Sequence, residues 1–141
     1  MTASKMVNML YGRQGLTLSV PAHTTVLESE AIPTLPDPED AIRRALETPI
    51  ANPPVAELLK QKRPATVAIT ISDITRPVPN QVMVSALLEV INAAGIGDQH
   101  VFIIIGTGMH RPSTPAEREE MLGKSLLRRC EVIDHRPDRP W

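Results

Sequence analysis

Two short stretches hold the residue types that do chemistry. Ser72-Asp73-Ile74-Thr75-Arg76-Pro77 brings together a carboxylate, a hydroxyl and a guanidinium, and Gly106-Thr107-Gly108-Met109-His110-Arg111-Pro112 sets an imidazole beside a second guanidinium. Histidine is the usual general base near neutral pH, because its reference pKa of about 6.5 lets it take up and return a proton with little tuning. His110 is therefore the candidate for proton transfer. A guanidinium presents a planar fork suited to a carboxylate or phosphate, which makes Arg76 a candidate anion contact. Asp73, Thr75 and Arg111 are further candidates for binding a polar or anionic small molecule. Plain alternatives stand beside these readings: His110 as a solvated loop residue, and Arg76 as an ion-pair partner of Asp73 that stiffens the turn.

Other chemistries find less support. Gly106-x-Gly108 lacks the third glycine of a dinucleotide fingerprint, and the lysine-bearing phosphate loop is absent. His110 and His135 have no cysteine or glutamate partners at ligand spacing, so a metal site made by this chain alone is not expected. His135 reads as a turn residue bonding backbone, and His23, on a polar loop, receives no role.

The elements that must position the two stretches follow from the flanking sequence. Val67, Ile69 and Ile71 alternate as in a buried strand, and Pro77 and Pro79 close the polar turn that follows. Val101-Phe102-Ile103-Ile104-Ile105 is a continuous apolar run, as expected of a strand covered on both faces. Residues 81–94 between them have the length and apolar spacing of a crossover helix. Strand, helix, strand in this order is a βαβ unit, so Asp73/Arg76 and His110/Arg111 should emerge on the same edge of the sheet, where open α/β sheets bind ligands.

Residues 9–21 read as a β-hairpin with Gly12 and Gly15 in the turn, Leu16, Leu18 and Val20 pointing inward, and the pair forming an antiparallel edge. Asp37-Pro38-Glu39-Asp40 opens a helix that stops before Pro49, and Val55 to Leu59 forms a short second helix. Ser113-Thr114-Pro115-Ala116-Glu117 has the cap, proline and glutamate of a helix start, with Arg118, Glu119 and Glu120 on its solvated face. Residues 126–130 are a further short helix or turn, and 131–135 a third parallel strand. The expected class is α/β: a mostly parallel, Rossmann-like sheet of βαβ units with an amino-terminal hairpin, residues 1–36 forming the hairpin and proline-rich lead-in and 37–141 the core. A parallel strand followed by a short polar end looks incomplete, as if this were one portion of a longer protein.

Composition narrows the function classes. A chain of 141 residues, 42% hydrophobic, supports one domain with a core. A net charge of -1 with interspersed signs gives no reason to expect nucleic acid or an anionic membrane as partner, and three aromatic residues offer no stacking platform for bases. No apolar run approaches the roughly 20 residues of a membrane span. The single cysteine, Cys130, excludes an internal disulfide framework and fits a reducing cytoplasm. Fourteen prolines punctuate the elements without forming a low-complexity tract.

The two motifs, with Tyr11-Gly-Arg-Gln-Gly15 and Leu35-Pro-Asp-Pro-Glu-Asp-Ala-Ile42 before them and Val132-Ile-Asp-His135 after, resemble the amino-terminal region of the nickel-dependent lactate racemase family. The resemblance spans nearly the whole chain. It implies racemisation or epimerisation of a 2-hydroxy acid, with a nickel pincer nucleotide as hydride acceptor. It also implies that His110 is one of two general acid/bases, that Arg76 holds an anionic group of substrate or cofactor, and that Asp73 makes a polar contact to the cofactor. The family's covalent lysine, nickel-ligating histidine and second catalytic histidine lie downstream of the matched region. The resemblance therefore implies a missing carboxyl-terminal part and an inactive isolated chain. The competing reading is a stand-alone module that binds a small carboxylate or nucleotide without catalysis.

Overall fold

The computed structural model describes residues 3–137, which divide into two compact units with the boundary between Thr34 and Leu35. The first is a hairpin of β1 (Ser4–Met9) and β2 (Leu16–Pro21), antiparallel with Val7 opposite Leu18. Gly15 lies in the turn at φ +73°, and a Cβ there would meet the Met9 carbonyl oxygen at 3.2 Å, so glycine suits the position. The hairpin forms a two-stranded sheet of its own and adds no strand to the parallel sheet. Leu16 and Leu18 are exposed, contrary to the inward alternation expected of them. Alternation marks one face of a ribbon as apolar, but only a second layer buries that face.

The second unit begins with α1 (Pro38–Glu47) and α2 (Val55–Lys62). Asp37 caps α1, its carboxylate accepting the Asp40 N–H at 2.9 Å. The helix α2 runs three residues beyond the Leu59 expected as its end and is capped by Arg63 with φ +45°. Next come β3 (Val67–Ser72), α3 (Asn80–Ala93), a 3-10 turn at Asp98–His100, β4 (Val101–Gly106), α4 (Pro115–Arg129) and β5 (Glu131–Asp134). The strands are parallel in the order β3-β4-β5, with Ile69 beside Ile103 and Ile103 beside Val132.

One face of this sheet builds the core. Ile69, Val101, Ile103 and Ile105 are buried with Val84, Leu88 and Ile91 of α3 and Met121, Leu122 and Leu126 of α4. Both crossover helices thus serve the same face, while α1 and α2 pack on α3. The opposite face is less covered: Ala68 and Thr70 are exposed, and Phe102, Ile104 and Ile133 only partly buried. The expectation that β4 is covered on both faces is thereby corrected. A sequential three-strand order carries its two helices on one side, and a continuous apolar run does not say what covers the other. Gly123 breaks α4 with φ +70°; a Cβ there would come within 3.0 Å of the Gln81 side chain, which itself donates to the Glu120 carbonyl. Among the described residues no helix is long and apolar enough to cross a membrane.

Candidate active site

Because β3 and β4 run in parallel register with Ser72 beside Gly106, the loops that follow them leave the same sheet edge side by side. That adjacency brings Asp73 and His110 together. Asp73 is buried at 7% exposure, and its two carboxylate oxygens have separate tasks. Oδ1 accepts the Thr75 hydroxyl at 2.6 Å and the Thr75 N–H at 3.3 Å, a local turn that fixes the carboxylate. Oδ2 lies 2.5 Å from His110 Nδ1. Hydrogen bonds from Thr75 and from His110 hold the Asp73 carboxyl below its usual range, so it is ionised at neutral pH.

The imidazole is open while its partner is closed. The His110 side chain is 60% exposed against 10% for that of Asp73. An ionised carboxylate is an acceptor only, so Nδ1 carries the proton in this contact and Nε2 is left as the acceptor. The His110 backbone is set by an N–H bond to the Thr107 carbonyl at 3.0 Å, and Thr107 is itself anchored, its hydroxyl donating to the His135 carbonyl at 2.6 Å. His135 in turn donates its N–H to the Ile105 carbonyl at 2.9 Å.

The two arginines differ. Arg76 is exposed, and its guanidinium has no hydrogen bond or ion pair among the described residues. The alternative of an Asp73–Arg76 pair is not what forms, because Asp73 is already occupied by Thr75 and His110. Arg111 points its fork at Glu117, with Nη1 to Oε2 at 2.9 Å and Nη2 to Oε1 at 2.7 Å, and also donates to the Pro112 carbonyl. Glu117 completes the cap of α4: its carboxylate accepts the Thr114 N–H at 2.8 Å, and the Thr114 hydroxyl accepts the Glu117 N–H. The Arg111 fork first, and the Thr114 N–H second, draw the Glu117 carboxyl down to about 2.

A cavity of about 300 Å³ lies between the loops, lined by Asp73, Ile74, Thr75, His110, Arg111, Ser113 and Glu117. Four of the five sequence candidates therefore line one cavity, and Arg76 follows directly after Thr75. Glu117 was legible as a cap but not as the partner of Arg111. The sequence signal was its place six residues on, across a proline turn that folds the chain back. Arg118, expected on a solvated face, instead bonds Asp134 and donates to the Val132 carbonyl at 3.2 Å. The Asp134 carboxylate also accepts the Ser113 N–H at 3.2 Å, tying the end of the His110 loop to β5. Burial pushes the Asp134 carboxyl up, but the bonds from Arg118 and Ser113 outweigh it and leave the group below its ordinary value.

Residues 11–140 match the family described as the lactate racemase N-terminal domain. The chain belongs to that family. It is 30% identical over 97 residues to a lactate racemase of Lactiplantibacillus plantarum and 34% identical over 97 residues to one of Thermoanaerobacterium thermosaccharolyticum. Each alignment covers 69% of this chain and 22% of the relative, so the chain spans about a fifth of the lactate racemases it matches. The structure of the lactate racemase apoprotein from T. thermosaccharolyticum superposes with a TM-score of 0.70 at 28% identity, over 94% of this chain and 30% of that one. A Thermotoga maritima protein shares the fold at a TM-score of 0.53 and 21% identity, over 72% of this chain and 22% of that one. In this family member the open α/β sheet agrees with the resemblance drawn from the two loop motifs.

No three His, Cys, Asp or Glu side chains among the described residues form a metal-binding group.

Proposed function

We propose that the chain is the amino-terminal part of a nickel-pincer-nucleotide-dependent 2-hydroxy-acid racemase of the lactate type. The observation that carries this reading is the contact between Asp73 Oδ2 and His110 Nδ1 at the edge of the cavity. It supports a base with a defined tautomer. His110 Nε2 takes the substrate's hydroxyl proton while the adjacent Asp73 carboxylate stabilises the imidazolium that forms. Arg76 holds the substrate carboxylate or an anionic group of the cofactor, and Thr75 keeps Asp73 in place. A nickel pincer nucleotide, when bound, supplies the electron sink for the hydride leaving C2, which no side chain here offers. Residues of the two loops would offer polar contacts to such a group, and the resemblance puts the nickel-ligating histidine downstream of the matched region.

With the hydroxyl proton on His110 and the hydride removed, the substrate is a planar 2-keto acid. The opposite enantiomer presents its hydroxyl from the other side, so a second base contributed from elsewhere in the enzyme would serve it, and His110 would serve one enantiomer only. The reading places the enzyme in the cytoplasm, where the buried thiol of Cys130 stays reduced. In the complete, cofactor-loaded enzyme, His110→Ala lowers the racemisation rate by about 10²–10⁴ with the far-UV spectrum unchanged. A variant that races on at the parental rate removes His110 from the mechanism.

A second reading rests on the exposed guanidinium of Arg76, which has no hydrogen bond or ion pair among the described residues and follows directly after the cavity residue Thr75. A stand-alone module would bind a small carboxylate through Arg76 and show a lactate-dependent rise in melting temperature that Arg76→Ala abolishes.

A further inference from the structure

Of the two guanidiniums that the sequence offers to an anion, one is already committed. Arg111 makes a two-pronged, charge-assisted pair with Glu117, the geometry in which guanidinium and carboxylate bind most strongly. Glu117 is fixed in turn by the start of α4, where Thr114 donates to it from both its N–H and its hydroxyl. The Glu117 side chain is 19% exposed. Arg111 is thus directed by a carboxylate that the helix cap holds in place. The cavity wall contains two carboxylates, Asp73 and Glu117, against the one guanidinium of Arg111. Arg76, one residue past Thr75, is the uncommitted guanidinium of the two loops among the described residues.

We propose that Glu117 is a specificity-determining residue of this site: by occupying Arg111, the guanidinium of the cavity wall, it makes the cavity favour a monocarboxylate over small dianions such as sulfate and dicarboxylates. The choice of a monocarboxylate rests on the racemase reading; the control of charge by Glu117 does not. A dianion entering the wild-type cavity meets two carboxylates in the wall and a guanidinium already paired with one of them. With Arg111 released, its fork is open to the cavity, and a tetrahedral or two-headed dianion gains a charge-assisted partner.

Glu117→Gln isolates this effect, because glutamine keeps an oxygen that accepts the Thr114 N–H and so preserves the cap while removing the charge. Sulfate is titrated into the 141-residue chain at constant ionic strength, followed by the amide resonances of residues 110–117. Sulfate should bind the Glu117→Gln chain about tenfold more tightly than the parent, and the gain should vanish in Glu117→Gln/Arg111→Gln. Equal sulfate affinity in parent and Glu117→Gln, or a gain that survives in the double variant, overturns the proposal. Should Glu117→Gln fail to fold, Arg111→Gln in the parent serves the same end. Its sulfate affinity should stay within about twofold of the parent, since the fork it removes was never available. A several-fold loss would show Arg111 already binding anions and would overturn the proposal. Lactate titrated into the same chains tests the stand-alone reading separately: absent lactate binding with the sulfate pattern intact counts against a module that binds a small carboxylate by itself and still supports the charge control by Glu117.

Discussion

The hairpin and the βαβ unit use similar side chains to opposite ends. In the hairpin unit Met6, Met9, Leu10, Tyr11, Leu16 and Leu18 are all exposed, whereas in the parallel unit Val84, Leu88, Val101, Ile103, Ile105 and Leu122 are at or below 1% exposure. Both regions satisfy their backbone by ladder pairing. The difference lies in the second layer: α3 and α4 press on one face of the parallel sheet, while the hairpin's apolar side chains remain open to solvent. Hydrogen-bonded pairing gives a strand its shape, but burial gives it stability, and an isolated two-stranded ribbon is marginal in water. The lesson for the site is that it stands on the well-packed unit, at the ends of strands whose neighbouring residues are the most buried in the chain.

The sharpest way to break this contrast is to shorten one apolar side chain in each region. Ile103→Ala removes a side chain with no exposure from the central strand and should cost about 2–5 kcal/mol of unfolding free energy. Leu18→Ala in the hairpin should stay within about 0.5 kcal/mol, as for an exposed substitution. Urea denaturation of the two variants checks both numbers, and comparable losses would mean that the hairpin is buried in solution against something. Next in size is Asp134→Asn, which removes the charge facing Arg118 from a carboxylate side chain only 4% exposed and weakens the Ser113 N–H bond. A loss of about 1–3 kcal/mol is expected in the same assay. Because Ser113 ends the loop that carries His110, the amide resonances of residues 107–113 should move with it.

How much of this was legible in the sequence depends on the range of the interaction. The helix starts at Asp37 and Thr114 were readable because cap, proline and acidic residue all lie within four positions. The strands β3 and β4 were readable from β-branched runs that end in glycine or proline. His110, Asp73, Thr75 and Arg111 were nameable as types on two loops, and parallel register then placed the loops together. Their partners were not nameable. That Asp73 takes His110 over Arg76, and that Arg111 takes Glu117 over a ligand, is decided by distances across 37 and 6 residues that no local pattern encodes. Arg118 illustrates the same limit: the glutamates that follow it, Glu119 and Glu120, are exposed, and its partner Asp134 arrives from the next strand.

Acid should expose the same contrast through charge. Asp73, Asp98 and Asp134 all have folded-state values lowered from their ordinary ones, Asp98 through Arg129 first and Asn92 second. A carboxyl lowered in the folded state contributes stability that is present above its unfolded value, near 4, and is lost as pH falls through the folded value. The unfolding midpoint should therefore decline from about pH 4 downward and hold level between pH 5 and 7 as far as these groups are concerned. All three belong to the parallel unit, so the chemical shifts of residues 4–21 should be the less affected by the same titration. A midpoint that is flat down to pH 2 would show the three pairings absent in solution.

A small gain in stability is expected at Arg63, where the chain leaves α2 with φ +45° and ψ 53°, donating its N–H to the Leu59 carbonyl. That left-handed cap costs a side-chain-bearing residue about 1 kcal/mol, from the crowding of Cβ against the following carbonyl, and glycine escapes the cost. Glycine also raises the entropy of the unfolded chain, which returns part of the gain. The net expectation for Arg63→Gly is a stabilisation of a few tenths to about 1 kcal/mol in urea. The position is at the far end of the unit from the strand-end loops, next to Pro64 and the entry to β3, so the resonances of Asp73 and His110 should stay where they are. A destabilised variant would mean that the Arg63 side chain has a packing role on α3 that outweighs its backbone cost, and would extend the well-packed region of the molecule to include α2.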